Sequence, residues 1–196
     1  MECIFITGGS ETGKTTYAKM LATQKGYHAY ISSGGKNPLD NYKGEECIIL
    51  DDTRSSSWSL TDFLKLTDNH TDSLVGCRYY NKSIAECKLI IVTSVKTLDE
   101  FYENATKEDN EPKIQLYRRF QMVIEMKKET MTISVYSEDK KQHLRAVSVK
   151  NPVAVMYQPK MAKKMVDDFV ALMGLEIIDD KKPTLIPIDD STENPF

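Results

Sequence analysis

The chain has 196 residues, of which 40% are hydrophobic and 28% charged, with 26 Lys/Arg against 29 Asp/Glu for a net charge of −3. This suits one α/β core with a small appendage, and no apolar run is long enough for a membrane span or built like a secretory leader. Charge is uneven: 24 Lys/Arg stand against 21 Asp/Glu through residue 165 and 2 against 8 beyond it, so the body is mildly basic and the C-terminal end acidic. A mildly basic body permits nucleic-acid binding without arguing for it.

Glu2-Cys3-Ile4-Phe5-Ile6-Thr7 is a short apolar run predicted to be a buried strand. Gly8-Gly9-Ser10-Glu11-Thr12-Gly13-Lys14-Thr15 follows and fills every fixed position of the G-x-x-x-x-G-K-[ST] phosphate loop. Residues 14–24 then carry Tyr17, Met20 and Leu21 at helical spacing. Strand, glycine loop and helix are the context that this motif requires. The glycines let backbone N–H groups curl around phosphate oxygens, and the new helix aims its positive dipole end at the same anion. Gly8, Gly9, Ser10, Glu11, Thr12, Gly13, Lys14, Thr15 and Thr16 are therefore the candidate nucleotide contacts. Lys14 would reach the β- and γ-phosphates, and the Thr15 hydroxyl would hold Mg²⁺. The plainer alternative is a glycine turn before an ordinary helix.

Residues 27–31 form a second predicted strand, and 32–43 are a loop rich in Gly, Pro and Asn. Glu46-Cys47-Ile48-Ile49-Leu50-Asp51-Asp52 is an apolar run ending in acids. Asp51 would sit at the strand's C-terminal end and hold Mg²⁺ through water, and Asp52 stands where many such ATPases orient the attacking water. Residues 59–67 read as a short helix opened by Ser59 and Asp62. Residues 88–93 form another apolar strand, followed by Ser94, and Thr97 with Glu100 makes a capping box for a helix to Ala105. Pro112 opens a helix predicted to run through Gln121. Residues 130–136 and 144–149 alternate as a hairpin around a charged turn at 137–142. Residues 159–173 form a final amphipathic helix stopped by Gly174. Residues 179–196, with Pro183, Pro187 and Pro195 among acids, read as a disordered tail.

The four cysteines, at 3, 47, 77 and 87, form no C-x-x-C pair, and Cys3 and Cys47 lie inside strand candidates as small buried hydrophobes of a reduced compartment. The histidines, at 28, 70 and 143, show no metal-ligand spacing. Strands interleaved with helices predict an α/β fold whose parallel sheet is covered on both faces and binds ligands at the strands' C-terminal ends. The phosphate loop, Asp51 with Asp52, and Thr93 with Ser94 all fall at such ends. The expected organisation is an ATPase core over 1–126, a hairpin-and-helix extension over 127–178, and the tail over 179–196.

The ordered set is more specific than the loop alone. It comprises the phosphate loop, Tyr42-Lys43-Gly44 leading into Ile48-Ile49-Leu50-Asp51-Asp52, Arg78-Tyr79-Tyr80-Asn81-Lys82, Ile90-Ile91-Val92-Thr93-Ser94 and Leu116-Tyr117-Arg118-Arg119-Phe120. Over roughly residues 2–125 the chain resembles the superfamily 3 helicase domain of rolling-circle replication initiators (Rep proteins) of Gram-positive plasmids and circular single-stranded DNA viruses. The resemblance implies an AAA+-like P-loop NTPase core, ATP and Mg²⁺, ring-shaped homo-oligomers that are often hexamers, and translocation on single-stranded DNA. It makes Lys14, Asp52, Ser94, Arg118 and Arg119 the catalytic candidates. One of the two arginines would act as a finger on a neighbour's site, with Arg119 slightly favoured. Residues 73–85 match the family's DNA-contacting hairpin, with Lys82 the leading candidate, Arg78 behind it and Tyr80 as a stacking face. Val95 departs from the viral pattern, which has Asn there, and cannot donate to a phosphate; Ser94 is left to substitute. The family's nuclease is expected to be fused upstream or supplied separately. The expected location is the host cytoplasm for a plasmid or phage protein and the nucleus for a eukaryotic virus.

Two other classes stay open. In a small-molecule P-loop kinase, Arg118 and Arg119 would be lid residues, and a small acceptor rather than single-stranded DNA would stimulate turnover. In a nucleotide-binding assembly module, which Val95 permits, hydrolysis would stay negligible at high protein concentration.

Overall fold

The computed structural model describes residues 1–32, 37–68, 74–75, 82–105, 111–153, 168–169 and 171–174. The chain divides into two compact units, Met1–Met156 and Tyr157–Phe196. In the first, β1 (Glu2–Gly8) runs into α1 (Lys14–Gln24), β2 (Ala29–Ser32) and β3 (Cys47–Leu50). A 3₁₀ turn (Ser55–Ser57) and α2 (Leu60–Leu66) follow, then the short strands β4 (Leu74–Val75) and β5 (Lys82–Ser83), then β6 (Leu89–Ser94). The unit ends with α3 (Leu98–Asn104), α4 (Lys113–Tyr117), β7 (Met122–Met126), β8 (Thr130–Ser137) and β9 (Gln142–Lys150).

The main sheet has seven strands in the order β2-β3-β6-β1-β7-β8-β9. The first five are mutually parallel, as the interleaving of strands and helices predicts. The hairpin β8–β9 adds antiparallel to β7, so the sheet is mixed and the predicted hairpin extends the core's own sheet. One strand is not announced by the sequence pattern. The helix expected from Pro112 through Gln121 stops at Tyr117, and Met122-Val123-Ile124-Glu125-Met126 becomes β7, parallel to β1 on the side away from β6. Five residues with one charge are too short a run to separate from a helix end by period.

Alternation along each strand sorts side chains into two cores. Ile4, Ile6, Cys47, Ile49, Leu89, Ile91 and Ile124 meet Tyr17, Ala18 and Ala22 of α1 on one face. Cys3, Phe5, Ile48, Leu50, Ile90 and Val92 meet Phe63 of α2, Phe101 of α3, and Leu116 and Phe120 on the other. Phe5 stacks edge-on to Phe101 and Phe120 at 5.8 and 5.3 Å between ring centres. Burial pushes the thiols of Cys3 and Cys47 up to about 12 and that of Cys87 to about 11, so these three stay protonated.

The predicted caps form. The Ser59 hydroxyl accepts from the Asp62 N–H at 3.1 Å, and Thr97 with Glu100 closes a reciprocal capping box. The final predicted helix is described at 168–169 and 171–173, before Gly174 at φ 62°. Among the described residues no helix is long and apolar enough to cross a membrane.

Candidate nucleotide site

The site is built by β1, β3 and β6, neighbours in the sheet that end on one edge. β1 delivers the chain into the loop at Gly8, whose φ of 152° and surroundings suit no side chain: a Cβ there would lie 2.2 Å from the Met126 carbonyl oxygen of β7. The loop turns through Glu11 at φ 61° and Gly13 at φ 86°, with the Thr12 hydroxyl donating to the Gly9 carbonyl at 3.0 Å. A Cβ on Gly13 would meet the Val153 side chain at 2.6 Å. Gly9 has nothing within 4 Å of such a position. Whereas α2 and α3 have side-chain caps, α1 starts at Gly13 with none. Its first N–H groups are thus left for an anion.

Lys14 folds back over the loop. Its ammonium donates to the Gly8 carbonyl at 2.9 Å and the Gly9 carbonyl at 2.8 Å. Burial pulls its pKa below the usual lysine value, and the Asp52 and Asp51 carboxylates oppose that shift. The ammonium lies within its own loop, where a phosphate would draw it outward.

Asp51 continues the Cys47–Ile49 face of β3, the face that packs on α1, and Thr93 continues the Leu89–Ile91 face of β6. Both reach the start of α1. The Thr15 hydroxyl donates to Asp51 Oδ1 at 2.6 Å, and the Thr93 hydroxyl donates to the same oxygen at 2.8 Å. The Thr93 oxygen also accepts the Asp52 N–H at 2.9 Å, which fixes the turn that holds Asp52 at φ 47°. Asp52 is exposed beside this cluster. A hydroxyl and a carboxylate oxygen in contact are hard donors of the kind Mg²⁺ takes alongside water and phosphate oxygens. Among the described residues no group of three or more His, Cys, Asp or Glu is placed to hold a metal by itself.

The other candidates lie elsewhere. Ser94 is buried, and its hydroxyl donates to the Thr53 carbonyl at 2.9 Å and accepts the Lys96 N–H at 3.2 Å. Its side chain thus serves the β6–α3 turn. Arg119 pairs with Asp68 at 2.8 Å at the end of α2. Arg118, the residue that closes α4, is exposed. Ser10, Glu11 and Thr16 are exposed on the loop and first helical turn. Lys82 lies in β5, its backbone paired antiparallel with Val75 of β4, on the two sides of the expected DNA loop. Arg78 and Tyr80, the other residues of the expected DNA contact, lie outside the described residues, as do Cys77 and His70.

Two contributors have no local signal in the chain. Asn151, 2% exposed, donates to the Thr12 carbonyl at 2.9 Å across 139 residues of sequence. Val153 fills the space behind Gly13. Thr93, placed by the sequence with Ser94 at a strand end, is singled out from Ser94 by strand alternation, because it shares the parity of Leu89 and Ile91.

Residues 4–96 match the protein-family model described as RNA helicase. The chain is also 45% identical over 171 residues to a protein of Onion yellows phytoplasma (strain OY-M) named "Replication protein". That alignment takes in 87% of this chain and 45% of the relative, so the chain spans less than half of the relative's length.

Proposed function

We propose that this chain carries the helicase-type domain of a replication protein, hydrolyses ATP with Mg²⁺ and moves on single-stranded DNA, a reading supported by the family-model match and by the similarity to a replication protein. The observation that carries the reading is the meeting of Lys14, Thr15, Asp51 and Thr93 at the start of α1, on one edge of a parallel sheet. Four polar groups from three separate segments, aimed at an uncapped helix start, suit a polyphosphate and its cation.

In this reading Lys14 leaves the Gly8 and Gly9 carbonyls for the β- and γ-phosphates. Thr15 and Asp51 would hold Mg²⁺, which would supply positive charge against the phosphates. Thr93 keeps Asp51 aimed, and the exposed Asp52 carboxylate orients the attacking water. The protein works as a homo-oligomeric ring, and Arg118 of one subunit completes the nucleotide site of the next. Arg118 is preferred to Arg119 because the latter is committed to Asp68. Lys82 contacts the strand, with Arg78 behind it and Tyr80 as a stacking face. The setting is rolling-circle replication in a bacterial cytoplasm, alongside a nuclease module.

The test is turnover of ATP by the purified chain, with single-stranded DNA, single-stranded RNA or a small acceptor added. DNA is expected to stimulate hydrolysis, and Lys14→Ala to abolish it while leaving the thermal transition in place. Stimulation by RNA alone would move the substrate to RNA. Phosphoryl transfer to a small acceptor would make the protein a kinase.

A further inference from the structure

The phosphate loop is held from behind by a segment far away in the chain. Asn151 uses its carboxamide N–H groups on the Thr12 carbonyl at 2.9 Å and the Lys127 carbonyl at 2.8 Å, with Lys128 at 3.4 Å. Its carboxamide oxygen accepts the Val153 N–H at 2.9 Å, and its own N–H donates to the Glu129 carbonyl at 2.8 Å. Val153, 3% exposed, occupies the volume that a Gly13 side chain would need. One buried residue thus ties the loop to the β7–β8 turn and to the chain leaving β9.

We propose that Asn151 is a positioning residue for the nucleotide: by holding the Thr12 carbonyl outward it aims the Gly13 N–H into the anion cradle. The reason is peptide planarity. In a trans peptide the C=O of Thr12 and the N–H of Gly13 point in opposite directions. A carbonyl drawn back to Asn151 turns the following N–H to the other side, where the loop curls around the phosphate. If that carbonyl were released, this peptide could flip and place an oxygen where the phosphate needs a donor. Val153 backs the same peptide at Gly13. Only a carboxamide combines two N–H donors with an acceptor at this position; a carboxylate of the same shape would face three carbonyl oxygens with a negative charge.

The proposal rests on residues 8–15 being the nucleotide site, and its test has one arm that needs no nucleotide. Backbone hydrogen exchange at residues 9–15 and the affinity for a fluorescent ATP analogue with Mg²⁺ are measured on the full chain. The variants are Asn151→Ala, Asn151→Asp and Val153→Ala, with Leu116→Ala in the opposite core as a control for lost stability. Losing the buried hydrogen bond to the Thr12 carbonyl should speed loop exchange and weaken nucleotide binding by about tenfold in both Asn151 variants. Exchange in β6 should stay as in the parent. Val153→Ala, which keeps the carboxamide, should fall between. Leu116→Ala should lower the melting temperature without a selective change at the loop. The proposal is overturned if loop exchange and affinity in the Asn151 variants match the parent, or change only in step with melting temperature as in the Leu116 control. A parent that binds no nucleotide would sink the ATPase reading, while the exchange arm would still decide the role of Asn151 in the loop.

Discussion

The Thr93 hydroxyl joins the Asp52 N–H to the Asp51 carboxylate, whereas the next hydroxyl along β6, that of Ser94, is spent on the Thr53 carbonyl. Thr93→Val keeps shape and removes both bonds, each worth on the order of 1 kcal/mol. It is expected to cut ATP turnover strongly, because Asp51 loses its second donor. Ser94→Ala should lose about 1 kcal/mol of stability and keep turnover. Denaturant titration and steady-state hydrolysis on both variants check the pair; a turnover loss confined to Ser94→Ala would restore Ser94 as the catalytic candidate on this strand. His143 offers a test by pH. It is held by the Phe120 carbonyl at 2.7 Å and flanked edge-on by Tyr117 and Tyr136. Burial lowers its pKa from the ordinary 6.5, against the raising effects of the Phe120 carbonyl and Asp99. Below that ordinary value the unfolded chain takes the proton first, so stability should fall as pH drops from about 6.5 and level off below the folded pKa. Urea unfolding across that range should show a smaller acid-side loss in His143→Gln; an unchanged profile would refute this.

At the scale of elements, the loop is bounded by a strand as much as by its own motif. Gly8 and Gly9 look alike in the chain, yet a Cβ on Gly8 meets the β7 backbone and one on Gly9 meets open space. Gly8→Ala should therefore lose nucleotide binding and destabilise by at least the 1–3 kcal/mol usual for overpacking, because a backbone oxygen yields less than a side chain. Gly9→Ala should fold with a parent-like melting temperature. Equal melting temperatures for the two variants would mean that β7 does not press on the loop. The helix starts at Ser59 and Thr97 were legible because a cap is settled within three residues. The end of α4 and the whole of β7 were not, because a five-residue run takes its conformation from β1 beside it.

For the whole molecule, Arg119 is engaged within its own chain and Arg118 is exposed, so the proposed sharing of a site between subunits makes a definite demand. Mixing Lys14→Ala with Arg118→Ala protein, each inactive alone, should restore part of the ATPase activity, since some boundaries then pair an intact loop with an intact arginine. No recovery in mixtures shown to co-assemble would end the role of Arg118 in trans. Arg119→Ala should instead act on stability, by leaving Asp68 in a half-buried position without this partner. Single-stranded DNA affinity should fall steeply as salt rises, because phosphate contacts release counterions. Lys82→Ala should flatten that slope, and anisotropy titrations at two or more salt concentrations would expose an unchanged one.

The amino-acid sequence by itself determined the phosphate loop, the helix caps, the strand faces and the placing of Asp51 at a strand end. Each depends on backbone angles, hydrogen-bond reach or alternation over a few neighbouring residues, so each is written locally. Tertiary structure alone decided that β7 lies against Gly8, that Asn151 holds Thr12 across 139 residues, and that Arg119 meets Asp68 across 51. Those contacts follow from which strands pair and where the chain re-enters the sheet. A local pattern specifies how a segment folds; only the pairing of strands across the sheet specifies which distant residue then stands behind the loop.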